Sequence, residues 1–287
     1  MKRLGTYLLI FTLVLFLCAV AGARDMQKLS EDIPADSEVK TIHLKIDVGL
    51  ATLSLKTHAG GDMLTAYSRY DADKIKADVE YEKSGSEADI FLTSDQFKKK
   101  FHLDSDDCRW KISLSRDYIW DIEFDAGFAE CRMDLSGLPV ERLRLDLGAS
   151  ECRVQFDEPN PEPMRKFSVD AGAGEVRILG IGYANCDDFS FDGGAGEFTL
   201  NFEGMIDGFR RAKIDVGVGE VKVELPEDLP VRIEANEGWL SSLNVYADDL
   251  DMSIDGLFET GDFDEAEYGL QIDLDIGIGE ATVTMVD

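Results

Sequence analysis

The chain has 287 residues, with 58 Asp and Glu against 29 Lys and Arg, for a formal net charge of −29. That balance excludes nucleic acid and anionic membrane surfaces as partners held by charge, and it favours cations, basic partners or solubility alone. The three histidines, His43, His58 and His102, lie in the first half. A catalytic histidine paired with carboxylates farther along the chain is therefore poorly supported.

Residues 1–23 read as a secretory signal: Lys2 and Arg3, an uncharged run from Leu4 to Ala23, and the small-residue site Ala21-Gly22-Ala23 before Arg24. The run is also long enough for an uncleaved anchor. Cys18 does not suit a lipoprotein site, because Leu17 before it is too large. No later apolar run is long enough to span a membrane, so the rest of the chain is expected to be exported, to the periplasm, the cell surface or the medium. Cys108, Cys131, Cys152 and Cys186 remain after the signal. Export permits disulfides, and no spacing among them suggests zinc.

Residues 24–38 are polar, without helical or strand period, and read as a leader. An N-terminal β region follows at 39–117, opening with TIHLKIDVGLATLSLKT and continuing through alternating stretches at 64–70, 75–81, 88–93 and 110–115. Lys98-Lys99-Lys100 reads as a solvated turn. From 118 to 287 a repeat takes over. DVGVGEVKV from Asp215 has relatives starting at Asp170, Asp192 and Asp275, and looser ones at Asp47, Asp125 and Asp146. From Asp125 to Asp215 the starts recur about every 22 residues, the size of one β-solenoid coil. The spacing breaks between Asp215 and Asp275. There an insertion at about 226–268 holds a possible strand at 231–235, an acidic stretch and the aromatics Trp239, Tyr246 and Phe258. These three are a candidate contact surface, with an end cap over the open solenoid as the alternative.

With Asp as position zero, positions −3, −1, +1 and +3 are apolar or small, and inward parity returns at +6 and +8. The flip predicts two short strands joined by a bulge or corner at +4 and +5. The invariant glycine at +2 implies unusual dihedrals or close backbone approach, whereas +4, which is Ala51, Ala129 or Ser150 in three copies, implies a limit on size. A phosphate-cradling loop is excluded, since no helix follows and no Lys-Ser/Thr closes the motif. Glu at +5 faces Arg132, Arg153, Arg177 or Lys222 at +7 in four copies, which suggests a ladder of pairs. A calcium ion bridging Asp170, Glu175, Asp192, Glu197, Asp215 and Glu220 is the alternative. The nine-residue calcium β-roll repeat does not fit, because Phe198 stands where its Asp would be. Cys131 and Cys152 both fall at +6 in consecutive units. They read as buried thiols or an inter-coil disulfide, with thiols favoured because in-register strands seldom give disulfide geometry.

The stretch WDIEFDAGFAECRMDLSGLPVERLRLDLGASECRVQFD from Trp120, with the later GAGE and GVGE units and the closing IDLDIGIGEATVTMV, resembles the toast-rack β-strand-repeat proteins. These are bacterial envelope proteins related to LiaF-like cell-wall stress-response proteins and to adhesins of similar repeat. The resemblance implies an exported β-solenoid without catalytic residues, in envelope maintenance or stress response. LiaF-like proteins usually carry a multi-helix membrane segment before the repeats, and this chain has only the signal.

The expected fold is thus all-β: a single-stranded, toast-rack-like β-solenoid with a more irregular N-terminal β region. The expected role is a non-enzymatic envelope or secreted scaffold that engages a protein or glycan. It has no cofactor and no metal, no membrane contact beyond the signal, and room to oligomerise through the solenoid ends. A calcium-stabilised adhesin is the first alternative. A polysaccharide-active enzyme is the second, disfavoured because no carboxylate pair stands apart from the repeat background.

Overall fold

The computed structural model describes residues 25–96, 107–246, 250–254, 256–261 and 263–286. In chain order the strands are β1 (Met26–Ile33), β2 (Thr41–His58), β3 (Leu64–Asp71), β4 (Ile75–Ser84), β5 (Glu87–Gln96), β6 (Cys108–Ser115), β7 (Ile119–Asp134) and β8 (Val140–Gln155). They continue as β9 (Lys166–Leu179), β10 (Asp188–Asn201), β11 (Phe209–Pro226), β12 (Val231–Tyr246), β13 (Leu250–Ile254), β14 (Leu257–Thr260) and β15 (Gly269–Val286). Among the described residues there is no α-helix, only short 3-10 turns at Ile181–Ala184 and Phe263–Glu265.

The eight long strands β2, β7, β8, β9, β10, β11, β15 and β12 lie side by side in that order, all parallel. Each repeat copy is one rung, in register from Asp47↔Asp125 to Asp215↔Asp275. The sheet is open and β-solenoid-like, and does not close into a barrel. Every rung bends at its middle so that its two arms enclose one apolar core. On β10, Phe191 before the bend meets Phe198 after it, ring centroids 5.0 Å apart. Side chains at −3, −1 and +1 and again at +6 and +8 are buried, as in Ala212, Ile214, Val216, Val221 and Val223. A second aromatic chain, Phe156, Phe167, Phe189 and Phe202, runs edge to face beneath the return loops. Buried Asn160 ties those loops together: its Nδ2 donates to the carbonyls of Val140 and Ala184, and its Oδ1 accepts from the Val140 N–H.

The corner differs from the expected one in two respects. The repeat stays one strand through the bend, and beyond the first copy, whose Leu50 is buried, position +3 turns outward with the convex side instead of joining the core. Of the two glycines, +2 meets one of the two alternatives expected of it, and +4 adds a conformational limit to the expected one of size. At +2 the requirement is close approach: a Cβ on Gly148 would lie 2.4 Å from the carbonyl oxygen of Gly127 on the rung below, and one on Gly194 2.3 Å from that of Gly172. At +4, space is limited throughout: Ala51, Ala129 and Ser150 point inward and are buried in the early rungs, and a Cβ on Gly174 or Gly196 would lie 2.1 or 2.0 Å from the carbonyl oxygen of the rung below. On later rungs Gly174, Gly219 and Gly279 take φ of 124°, 131° and 135°, a region that side chains other than glycine rarely enter.

Met26–Ile33, expected to be leader, is an antiparallel edge strand on β3. Its period is masked because most of its side chains face solvent, including the charges that blunt an open edge. The outer edge of β2 is shared, β5 taking Thr41–Val48 and β6 taking Thr52–His58, on either side of the bend. The insertion holds more strand than expected. β12 is an eighth, degenerate rung, in register with β15 from Val231 to Tyr246 except for an irregularity between Glu237 and Leu240. β14 then pairs antiparallel with Arg232–Glu234 and with β13, covering part of the last rung.

The corner glycines give a direct test. Gly219→Ala places a Cβ 1.9 Å from the Gly196 carbonyl oxygen at a positive φ. It should destabilise the fold by roughly 2–4 kcal/mol in denaturant titration, with an unchanged value contradicting the corner described.

Candidate functional site

The outward turn at +3 builds a feature that periodicity alone hides. Across the ladder the +3 side chains align as Leu50, Phe128, Ala149, Ala173, Ala195, Val218, Ile278 and Leu240. Phe128 is 51% exposed, Val218 48%, Ile278 47% and Leu240 50%, while Leu50 is buried. At about 4.8 Å per rung the row is about 34 Å long. Over its middle lies a shallow trough of about 550 Å³, walled by Phe128 and by Glu130, Glu151, Glu175 and Glu197.

Carboxylates line both sides of this row. On one side run Asp47, Asp125, Asp146, Asp170, Asp192, Asp215 and Asp275, and on the other Glu130, Glu151, Glu175, Glu197, Glu220 and Glu280, each column in register. Like charges one rung apart repel. The Asp125 carboxyl is raised above its ordinary range, by burial first and then by Asp47 and Asp146. Asp275 is raised too, by burial and by Asp273 and Asp215.

The basic column compensates only in part. Arg177 pairs with Glu175 at 2.5 Å, whereas Lys222 reaches Glu224 at 2.5 Å and Lys213 reaches Asp215 at 2.7 Å. Asp170, Asp192 and Asp215 thus stack in one column and Glu175, Glu197 and Glu220 in the other, with the apolar row between them. Among the described residues no group of three or more His, Cys, Asp or Glu is placed to hold a metal ion.

A second polar cluster sits on the arm before the bend. Asp121 accepts from Arg142 Nε at 2.9 Å and lies 3.1 Å from His43 Nδ1. Burial works against its charge, but Arg142 and His43 outweigh it and hold the carboxyl below its usual range. The cluster joins the first three rungs.

Cys131 and Cys152 form a disulfide with Cα atoms 4.6 Å apart, which corrects the preference for thiols: neighbouring rungs in register bring the two inward side chains directly together. Cys108 and Cys186 are free and buried, and burial pushes the Cys186 thiol up to about 11. Of the insertion aromatics, Phe258 packs against the core from β14, opposite Ile233. Tyr246 is exposed at the end of β12, and the side chain of Trp239 lies outside the described residues.

The family model for the N-terminal domain of toast_rack, DUF2154, matches residues 22–179. The chain belongs to the toast-rack family. No curated protein matches this toast-rack chain. Among solved structures, a "putative cell adhesion protein" from Clostridium sporogenes is similar at 15% identity and TM-score 0.44, over 91% of this chain and 100% of that one. A "putative adhesin" from Bacteroides fragilis is similar at 9% identity and TM-score 0.34, over 92% and 98%. A "putative lipid binding protein" from Parabacteroides distasonis is similar at 14% identity and TM-score 0.35, over 91% and 97%.

Two predictions follow from this geometry. Replacing both Cys131 and Cys152 by Ala opens a link between residues 21 apart and should cost about 3 kcal/mol in denaturant titration, with reductant reproducing the loss in the native chain. For Asp125 the folded chain disfavours the ionised form, so Asp125→Asn should stabilise at neutral pH by roughly 0.2–1 kcal/mol. That gain should shrink as pH falls through the raised folded value and vanish below the ordinary value of 3.8, as stability curves at several pH values would show.

Proposed function

We propose that this toast-rack protein is an exported, non-enzymatic scaffold of the bacterial envelope whose outer corner engages a partner protein. One observation carries the reading: an apolar row crosses the whole ladder and leaves Phe128, Val218, Ile278 and Leu240 about half exposed. Contiguous exposed apolar surface on an otherwise highly charged chain marks an interaction site. Export is supported by the signal pattern of residues 1–23 and by the Cys131–Cys152 disulfide, which suits an oxidising compartment. A non-enzymatic role is supported by the repetition of the corner carboxylates, which recur at the same two positions in successive rungs and form no single pair apart from the rest.

A photo-crosslinking residue in place of Val218, tested in cells against the same residue in place of exposed Lys111 on β6, examines the surface directly. A discrete adduct is expected at 218 and not at 111. Ile278→Lys on the next rung should reduce it roughly tenfold, while shifting stability by less than about 0.5 kcal/mol. No adduct at 218, or one indifferent to Ile278→Lys, would overturn the reading.

A further inference from the structure

We infer that the occupant of the outer corner is a basic amphipathic helix, lying along the apolar row with its cationic shoulders against the Asp and Glu columns. The inference rests on the reading of this row as an interaction surface. Three features of the corner define the partner. The first is shape: the exposed part of the row, from Phe128 to Leu240, runs in register across the rungs for about 29 Å, which a helix of about 20 residues spans. The second is relief. The middle rungs carry only Ala149, Ala173 and Ala195 above the glycines, so the floor is low there, and larger side chains stand at Phe128 and from Val218 to Leu240. The trough over Ala149 and Ala173, with the Glu column along one side, receives the longer side chains of a helical stripe whose smaller ones rest on Phe128 and Val218.

Charge is the third feature, and it decides between occupants. Both margins of the row are carboxylate columns, whereas the basic residues at +7, Arg132, Arg153, Arg177 and Lys222, stand beyond the Glu column, away from the row. Asp47 and Asp146 flank Asp125 in that column, and burial first and then these neighbours hold its carboxyl above the ordinary range. Cations placed between rungs relieve that repulsion, so complementarity favours Lys or Arg on both shoulders of an incoming apolar stripe. The same margins repel an anionic lipid surface, and they repel a second copy of this row.

The test uses the full chain, exported with its own signal and purified, and a labelled synthetic peptide of about 20 residues with Leu and Ala on one helical face and Lys on its shoulders. Two controls accompany it: the same composition shuffled so that no apolar stripe forms, and Glu in place of Lys. By fluorescence anisotropy the Lys helix should bind at least about tenfold tighter than either control. Val218→Lys with Ile278→Lys should weaken it about tenfold. Glu197→Gln with Glu220→Gln should weaken it and reduce its salt dependence. Phe128→Ser, on a distant rung, gives a second apolar variant should the first pair fail to fold.

Equal binding of the shuffled peptide, or indifference to both apolar variants, would reduce the effect to unspecific charge and overturn the inference. Tighter binding of the Glu peptide would overturn it too, as would tighter binding of vesicles of phosphatidylglycerol. A crosslink at Val218 in cells without peptide binding would leave the surface standing and remove this partner. Loss of both would remove the surface itself.

Discussion

The structure depends on the distance between backbones at the corner. Each rung bends where the carbonyl oxygen of one glycine lies against the Cα of the glycine on the next, too close for a Cβ at nearly every step. This contact lets eight long strands turn together without losing register, and every in-register column, apolar or charged, follows from it. The columns are not separate pieces of design. They are one residue choice repeated at a fixed interval by a backbone constraint.

That constraint also explains why inside and outside have such different chemistry. The inner columns at −1 and +6 accept varied apolar side chains, and they are filled by Ile, Leu, Phe, Val, once by Ala281 and once by a disulfide. The outer columns cannot vary so freely, because identical charges at one-rung spacing repel. Lys and Arg pair within a rung, as with Lys213 to Asp215 and Lys222 to Glu224, and between neighbouring rungs, as with Arg142 to Asp121 and Lys45 to Glu123. Exposed pairs of this kind contribute little to stability, so the ladder is held by its core and its glycines.

Much of this was legible in the residues. Period, alternation and the parity flip identify a bent rung, and inward parity at +6 places Cys131 beside Cys152. Two things were not legible, for physical reasons. Residue +3 is apolar in every copy, so its parity reads as inward, and only the geometry of the bend shows that +3 joins the outer face. The arithmetic of alternation assumes that a strand bends at one point, whereas here the turn spreads over +2 to +5. β12 was hidden differently: it lacks the Asp and the paired glycines, and an irregularity after Glu237 breaks its alternation, so only its first arm resembles a strand. Phe258 and Tyr246 are equally aromatic in sequence, and only packing separates a cap residue from an exposed one.

β15, the last strand of the chain, lies between β11 and β12 and pairs with both. A polypeptide delivered from its N-terminus therefore presents two unsatisfied strand edges, separated by a gap one strand wide, until β15 follows. Such edges recruit foreign strands as readily as the correct one. β15 thus acts as a keystone: β12 precedes it in the chain but has no rung to dock on until β15 is in place.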